Sequence, residues 1–178
     1  LVGGAAILVN YGFRDMTVDI DAIIHASSSI KEAINQISDQ HNLPIGWLNA
    51  DFKRTSSYTP RLNQFSIFYK TFYGVLEVRS ISAEYLIAMK LKAGRKYKND
   101  LSDIVGILAE HEKRGQPITW NNVDLAVQHL YLDWDGIAED AIAFIQNVFK
   151  TGNYMELFEQ LQEQEKRSKD VLIGFQQE

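Results

Sequence analysis

The spacing of apolar and polar residues changes character near residue 82. Before it, helix-like and strand-like patterns alternate. Ala5 to Tyr11 is short and almost wholly apolar, and reads as a helix. From Thr17 to Ile24 polar Thr17, Asp19 and Asp21 alternate with apolar Val18, Ile20 and Ala22, a period of two that predicts a strand. Ser29 to Asn42 carries Ile30, Ile34 and Ile37 on one helical stripe, with Ser29 and Glu32 spaced as a capping box. Trp47 to Asn63 reads as a loop. Gln64 to Ile81 is rich in Phe, Tyr, Val and Ile around Gly74, which predicts two strands and a turn. Its aromatics Phe65, Phe68, Tyr69, Phe72 and Tyr73 are expected as sheet core.

Beyond residue 82 the period is helical throughout. Helices are predicted from Ser82 to Lys92, Asp100 to Lys113, Thr119 to Leu130, Ile137 to Lys150 and Tyr154 to about Ser168. The fold class is therefore α+β. A small mixed-sheet core over residues 1–82 is followed by a helical region over 83–178.

Composition narrows the functional classes. Cysteine is absent, which excludes disulfides and thiolate metal sites and suits a reducing cytoplasm, the expected location. The net charge of -5 provides no general basic field for nucleic acid, and no DNA-binding motif is visible. No apolar run approaches the roughly 20 residues of a membrane span, and no secretory signal pattern is visible. The chain opens Leu-Val-Gly-Gly. Only the last two residues of any strand leading into the glycine pair are therefore present, and upstream residues are expected in the natural protein.

Two groups of residues carry chemistry. Asp19 and Asp21 are two apart on a predicted strand, so their carboxylates share a face and repel. A divalent cation removes that repulsion, and Mg²⁺ binds through one or two carboxylates plus substrate phosphates. Gly3 and Gly4 open a predicted helix. Glycine there lets a ligand approach the backbone, and a helix N-terminus suits phosphate.

The ordered set Gly3-Gly4-Ala5-Ala6, Tyr11-Gly12-Phe13-Arg14 and Thr17-Val18-Asp19-Ile20-Asp21 resembles the nucleotidyltransferase superfamily. The Arg-x-x-Thr-x-Asp-x-Asp pattern is most similar to a bacterial branch near AbiEii-like toxins and uncharacterised relatives. Trp47-Leu48-Asn49, the Lys90-containing helix and the Asp100-x-x-Asp103 helix extend the resemblance to about residue 110. The resemblance implies a Mg²⁺-dependent enzyme that moves a nucleotidyl group from a nucleoside triphosphate (NTP) to an acceptor, whether RNA, protein or small molecule. A toxin–antitoxin or phage-defence role, with a cognate antitoxin as partner, goes with that branch. Carried over by position, Gly3, Gly4, Arg14 and Thr17 hold nucleotide, and Asp19 and Asp21 hold metal. Lys90 contacts phosphate from a partly exposed position, and Asp100 and Asp103 complete the pocket. Glu77 is the candidate third carboxylate for a second metal.

Blander readings compete. Asp19 and Asp21 also suit a solvated strand face, Arg14 an ion pair with Asp15 or with an aspartate of the strand, and Asp100 and Asp103 a helix cap. Lys92, Arg95, Lys96 and Lys98 read as a solvated basic turn. The rival functions are a non-catalytic module that keeps the fold and binds nucleotide, RNA or protein, and an antibiotic-modifying transferase.

Overall fold

The fold is described from a computed structural model. It covers all residues except 15, 18, 26–27, 96–98 and 176–178, with side chains also undescribed at 28–29 and 168–175. The chain divides into two compact units, Leu1–Ser82 and Ala83–Glu178.

In the first unit, helix α1 (Gly3–Asn10) leads to strand β1 (Ile20–Asp21), helix α2 (Ser28–His41) and strand β2 (Leu48–Asn49). Strand β1 pairs in parallel with β2, Ile20 beside Leu48 and Asp21 beside Asn49. Two 3-10 turns follow, Asp51–Arg54 and Pro60–Phe65. An antiparallel hairpin of β3 (Ser66–Phe72) and β4 (Leu76–Ile81) closes the unit. Each pair forms its own two-stranded sheet. Buried Ala5, Ala6 and Ile7 seat α1, and Asn10 ties its end to β4 through Ser80 Oγ at 2.6 Å.

Three expectations change here. Among the described residues of 17–24, only Ile20 and Asp21 pair as strand, because β2 offers just two residues of partner backbone. The loop expected over 47–63 contains β2 and both 3-10 turns. The hairpin aromatics are not core: Phe68 is 57% exposed and Tyr73 99%. Tyr73 lies beside Gly74 in the tight turn, both at positive φ, so its side chain projects from the tip. The expected Ser29–Glu32 capping box lies outside the described side chains.

The second unit is all helical: α3 (Ala83–Ala93), α4 (Asp100–Lys113), α5 (Trp120–Tyr131), α6 (Glu139–Thr151) and α7 (Tyr154–Phe175). α3 packs on α4 and α5, and α4 packs on α7. Leu86, Ile87, Leu91, Ile104, Ile107 and Val123 are fully buried at its centre. Thr119 and Asn122 form a reciprocal capping box at the start of α5. No helix among the described residues is long and apolar enough to cross a membrane.

Candidate functional site

The glycine pair forms a sharp entrance to α1. Gly3 has φ +58, a left-handed conformation that L side chains adopt only with strain. Val2 caps the helix without a side-chain hydrogen bond, and the first turn holds no acidic residue. No side chain of the cap or the first turn therefore offsets the partial positive charge of this helix start.

Three side chains converge on this turn. A Cβ added at Gly3 would lie 3.2 Å from Asp21 Oδ2. One added at Gly4 would lie 2.8 Å from Arg14 Nη1 and 2.9 Å from Thr17 Oγ1. Both glycines are thus needed for the carboxylate, guanidinium and hydroxyl to approach the backbone so closely. β1 delivers Asp21: Ile20 and Ala22 donate their N–H groups to Trp47 and Asn49 carbonyls of the β2 segment, while the Asp21 carbonyl turns the other way and accepts from Val2 N at 3.0 Å.

Asp19 is placed differently. It lies in a bend before β1 and is exposed, while Thr17 Oγ1 donates to its backbone carbonyl at 2.9 Å. Asp19 is not itself paired as strand. Glu77 lies on β4, exposed and paired with Arg79 Nη1 at 3.0 Å. It is not among the groups meeting the two glycines. Among the described residues, no group of three His, Cys, Asp or Glu side chains could hold a metal ion. A single carboxylate, Asp21, beside the glycine turn would suit a Mg²⁺ held largely by water and phosphate oxygens rather than a preformed all-protein cage.

A second constellation lies in the helical unit. Lys90 Nζ of α3 donates to Asp100 Oδ1 at 2.8 Å and Asp103 Oδ2 at 2.7 Å, and Arg95 Nε donates to Asp100 Oδ2 at 3.0 Å. The two acids are one turn apart in the first turn of α4, where the helix dipole favours negative charge. The expectation of a partly exposed Lys90 is corrected: it is 5% exposed. The cause is its helix, whose Leu86, Ile87, Met89 and Leu91 are also buried and leave no solvated face. Burial raises the Asp100 carboxyl, but Lys90 and Arg95 together outweigh it and hold the group below the usual carboxylate range. Lys92 and Arg95 are not simply solvated either, since Lys92 Nζ donates to the Asp135 carbonyl at 2.8 Å. Lys96 and Lys98 lie outside the described residues.

A family model described as a nucleotidyltransferase of unknown function (DUF6036) matches residues 1–113. The chain belongs to this nucleotidyltransferase family. No curated protein and no solved structure matches it. The nucleotidyltransferase match contains the glycine turn, Asp21, and both helices of the lysine–aspartate group, whereas α5, α6 and α7 fall outside it.

Two features of this nucleotidyltransferase had no visible sequence signal. Glu165 of α7 accepts from Ser102 Oγ at 2.6 Å and Ser102 N at 3.3 Å, capping the α4 start across more than sixty positions of sequence. Tyr85 OH bonds His129 Nδ1 at 2.7 Å, a pair likewise distant in the chain.

Two outcomes follow directly. Gly4→Ala forces the Arg14 and Thr17 tips away from the helix start. The melting temperature should stay close to the parent's, because both displaced tips are the ends of flexible side chains. Acid should act through Asp100. Its folded-state pKa lies below the unfolded value of about 3.9, so the unfolded chain binds more protons. The stability it contributes is complete above that value and is lost as pH falls through the folded pKa. Thermal melts should decline as pH falls below about 4, and Asp100→Asn should flatten part of that slope.

Proposed function

We propose that this nucleotidyltransferase uses Mg²⁺ and an NTP to transfer a nucleotidyl group to an acceptor. The observation that carries the reading is the Gly3-Gly4 turn at an uncapped helix start, with Arg14, Thr17 and Asp21 gathered around it. The backbone N–H groups of the turn and the Arg14 guanidinium bind the phosphates, and the Thr17 hydroxyl adds a donor. Asp21 orients the metal side of the triphosphate, with exposed Asp19 close by in sequence. Mg²⁺, when bound, supplies neutralisation of the charge that develops on the phosphates. An acceptor hydroxyl or amine forms a bond to the α-phosphorus, the bond to the β-phosphate oxygen breaks, pyrophosphate leaves, and the acceptor proton passes to solvent. The Arg-x-x-Thr-x-Asp-x-Asp pattern supports a position near the AbiEii-like branch.

The test is incubation with each α-labelled NTP, Mg²⁺ and pools of RNA, protein or small molecules. Label should move to one pool and should stop moving when EDTA is added. The exposure of Asp19 outside the strand favours a second reading, a nucleotide-binding module without transfer. Saturable NTP binding with no label in any pool would select it.

A further inference from the structure

Strand β2 brings a second polar side chain to the site. In the parallel β1–β2 pair, Asp21 is the register partner of Asn49, the last residue of the Trp47-Leu48-Asn49 motif. Register partners carry their side chains on one face of a sheet, on backbones about 4.8 Å apart. The residues next to them, Ala22 and Leu48, line an apolar cavity beside α2, and neither Asp21 nor Asn49 does. Asn49 therefore shares the polar face on which Asp21 meets Gly3.

The Asn49 amide is held in place but not saturated. Its Nδ2 donates to the Gly46 carbonyl at 3.0 Å, and its Oδ1 accepts from Asp51 N at 2.8 Å. A side-chain amide has two N–H donors and two acceptor positions. Among the described residues, Asn49 thus keeps one donor and one acceptor position for a ligand.

The order of groups across the site gives that amide a role. Val2 N reaches the Asp21 carbonyl from one side of β1, and β2 lies on the other. Asp21 stands between the glycine turn and Asn49. In an in-line displacement the attacking and leaving oxygens lie on opposite sides of the phosphorus. With the pyrophosphate on the glycine turn, the acceptor enters on the Asn49 side.

We infer that Asn49 binds the acceptor and that the reacting group of the acceptor is a hydroxyl. This rests on the proposed transferase reading. The open Nδ2 hydrogen donates to the acceptor oxygen and fixes its direction. A hydroxyl oxygen has two lone pairs, so one can accept from Asn49 while the other attacks the α-phosphorus. A neutral amine would spend its single lone pair on Asn49. The new P–O bond forms as the bond to the β-phosphate oxygen breaks, pyrophosphate leaves, and the hydroxyl proton passes to solvent.

Three measurements test this. First, Mn²⁺ alone is titrated against the parent and Asn49→Asp. Aspartate keeps the bond from Asp51 N and adds a carboxylate beside Asp21, so Mn²⁺ should bind about tenfold more tightly. Unchanged affinity would mean that position 49 does not share the Asp21 face and would overturn the inference. Second, acceptor and NTP are titrated in transfer assays on Asn49→Ser, whose hydroxyl can still accept from Asp51 N. Half-saturation by the labelled pool should need about tenfold more acceptor, the scale of one hydrogen bond. Half-saturating NTP and the melting temperature should change little. A matching change for NTP, or none for the acceptor, would overturn the acceptor role. Third, the labelled product is treated with mild acid. A P–O ester should keep its label, and release of label, as from a P–N bond, would overturn the hydroxyl assignment. Which pool holds the label, RNA, protein or small molecules, identifies the carrier of the hydroxyl. Label in no pool would defeat the transferase reading and the acceptor role together, whereas parent transfer with an unaltered Asn49→Ser would defeat the acceptor role alone.

Discussion

Lys90→Met should lower stability by about 3–5 kcal/mol, the cost of stripping a buried charge pair of one partner. For a chain of this size that corresponds to a fall in melting temperature of roughly 10 °C. Methionine keeps the length and apolar stem of lysine, so packing of α3 changes little. What is lost is the ammonium that binds both Asp100 and Asp103, which leaves two buried carboxylates without it. The coupling has a diagnostic partner. Asp100 also accepts from Arg95, so one of its two cationic partners remains when Lys90 is replaced. Lys90→Met/Asp103→Asn should recover much of the stability, because the remaining Asp100–Arg95 pair stays balanced. A Lys90→Met protein melting within a degree of the parent would show that the group is not closed in solution. The same reasoning governs functional assays at this position: weaker NTP binding by a Lys90 variant counts as a phosphate contact only where Lys90→Met/Asp103→Asn, refolded and stable, still binds weakly.

Asp21→Asn should reduce nucleotidyl transfer on the order of a hundredfold or more, the scale on which single electrostatic groups at reacting phosphates act. Asparagine preserves size, and the backbone carbonyl that holds Val2 is untouched, so the melting temperature should move little. Asp19→Asn should cost less, because Asp19 is an exposed bend residue outside β1, whereas Asp21 is the carboxylate that meets Gly3. The comparison is read as initial rates of label transfer at saturating NTP, beside a thermal melt of each variant. Equal losses from both substitutions would mean that the two carboxylates act together on one metal. An unaffected Asp21→Asn rate would remove Asp21 from the chemistry.

The sequence by itself determined all five helices of the second unit, four of them to within two residues at each end, while α7 runs on to Phe175, past the expected end near Ser168. An α-helix satisfies its backbone within a few positions, so its signals are local. Thr119 and Asn122 announce the start of α5, and the predicted Asp100–Lys113 helix coincides with α4. The glycine pair was legible for a similar reason, since its chemistry lies in adjacent residues and Asp21 follows shortly after. Only the tertiary structure decided the rest. The length of β1 depended on β2, which lies beyond the whole of α2, and a strand without partner backbone cannot extend past it. That truncation left Asp19 in a bend outside the paired strand, although the alternating pattern put it in the strand with Asp21. Exposure of Phe68 and Tyr73 depended on what covers the hairpin, a property no local period encodes. Lys90 looked like a partly exposed lysine because its charge is visible in sequence but its burial is not. Whether a lysine on an apolar helix reaches water or a carboxylate depends on which helix packs against it, and here α4 brings two acids to the buried ammonium.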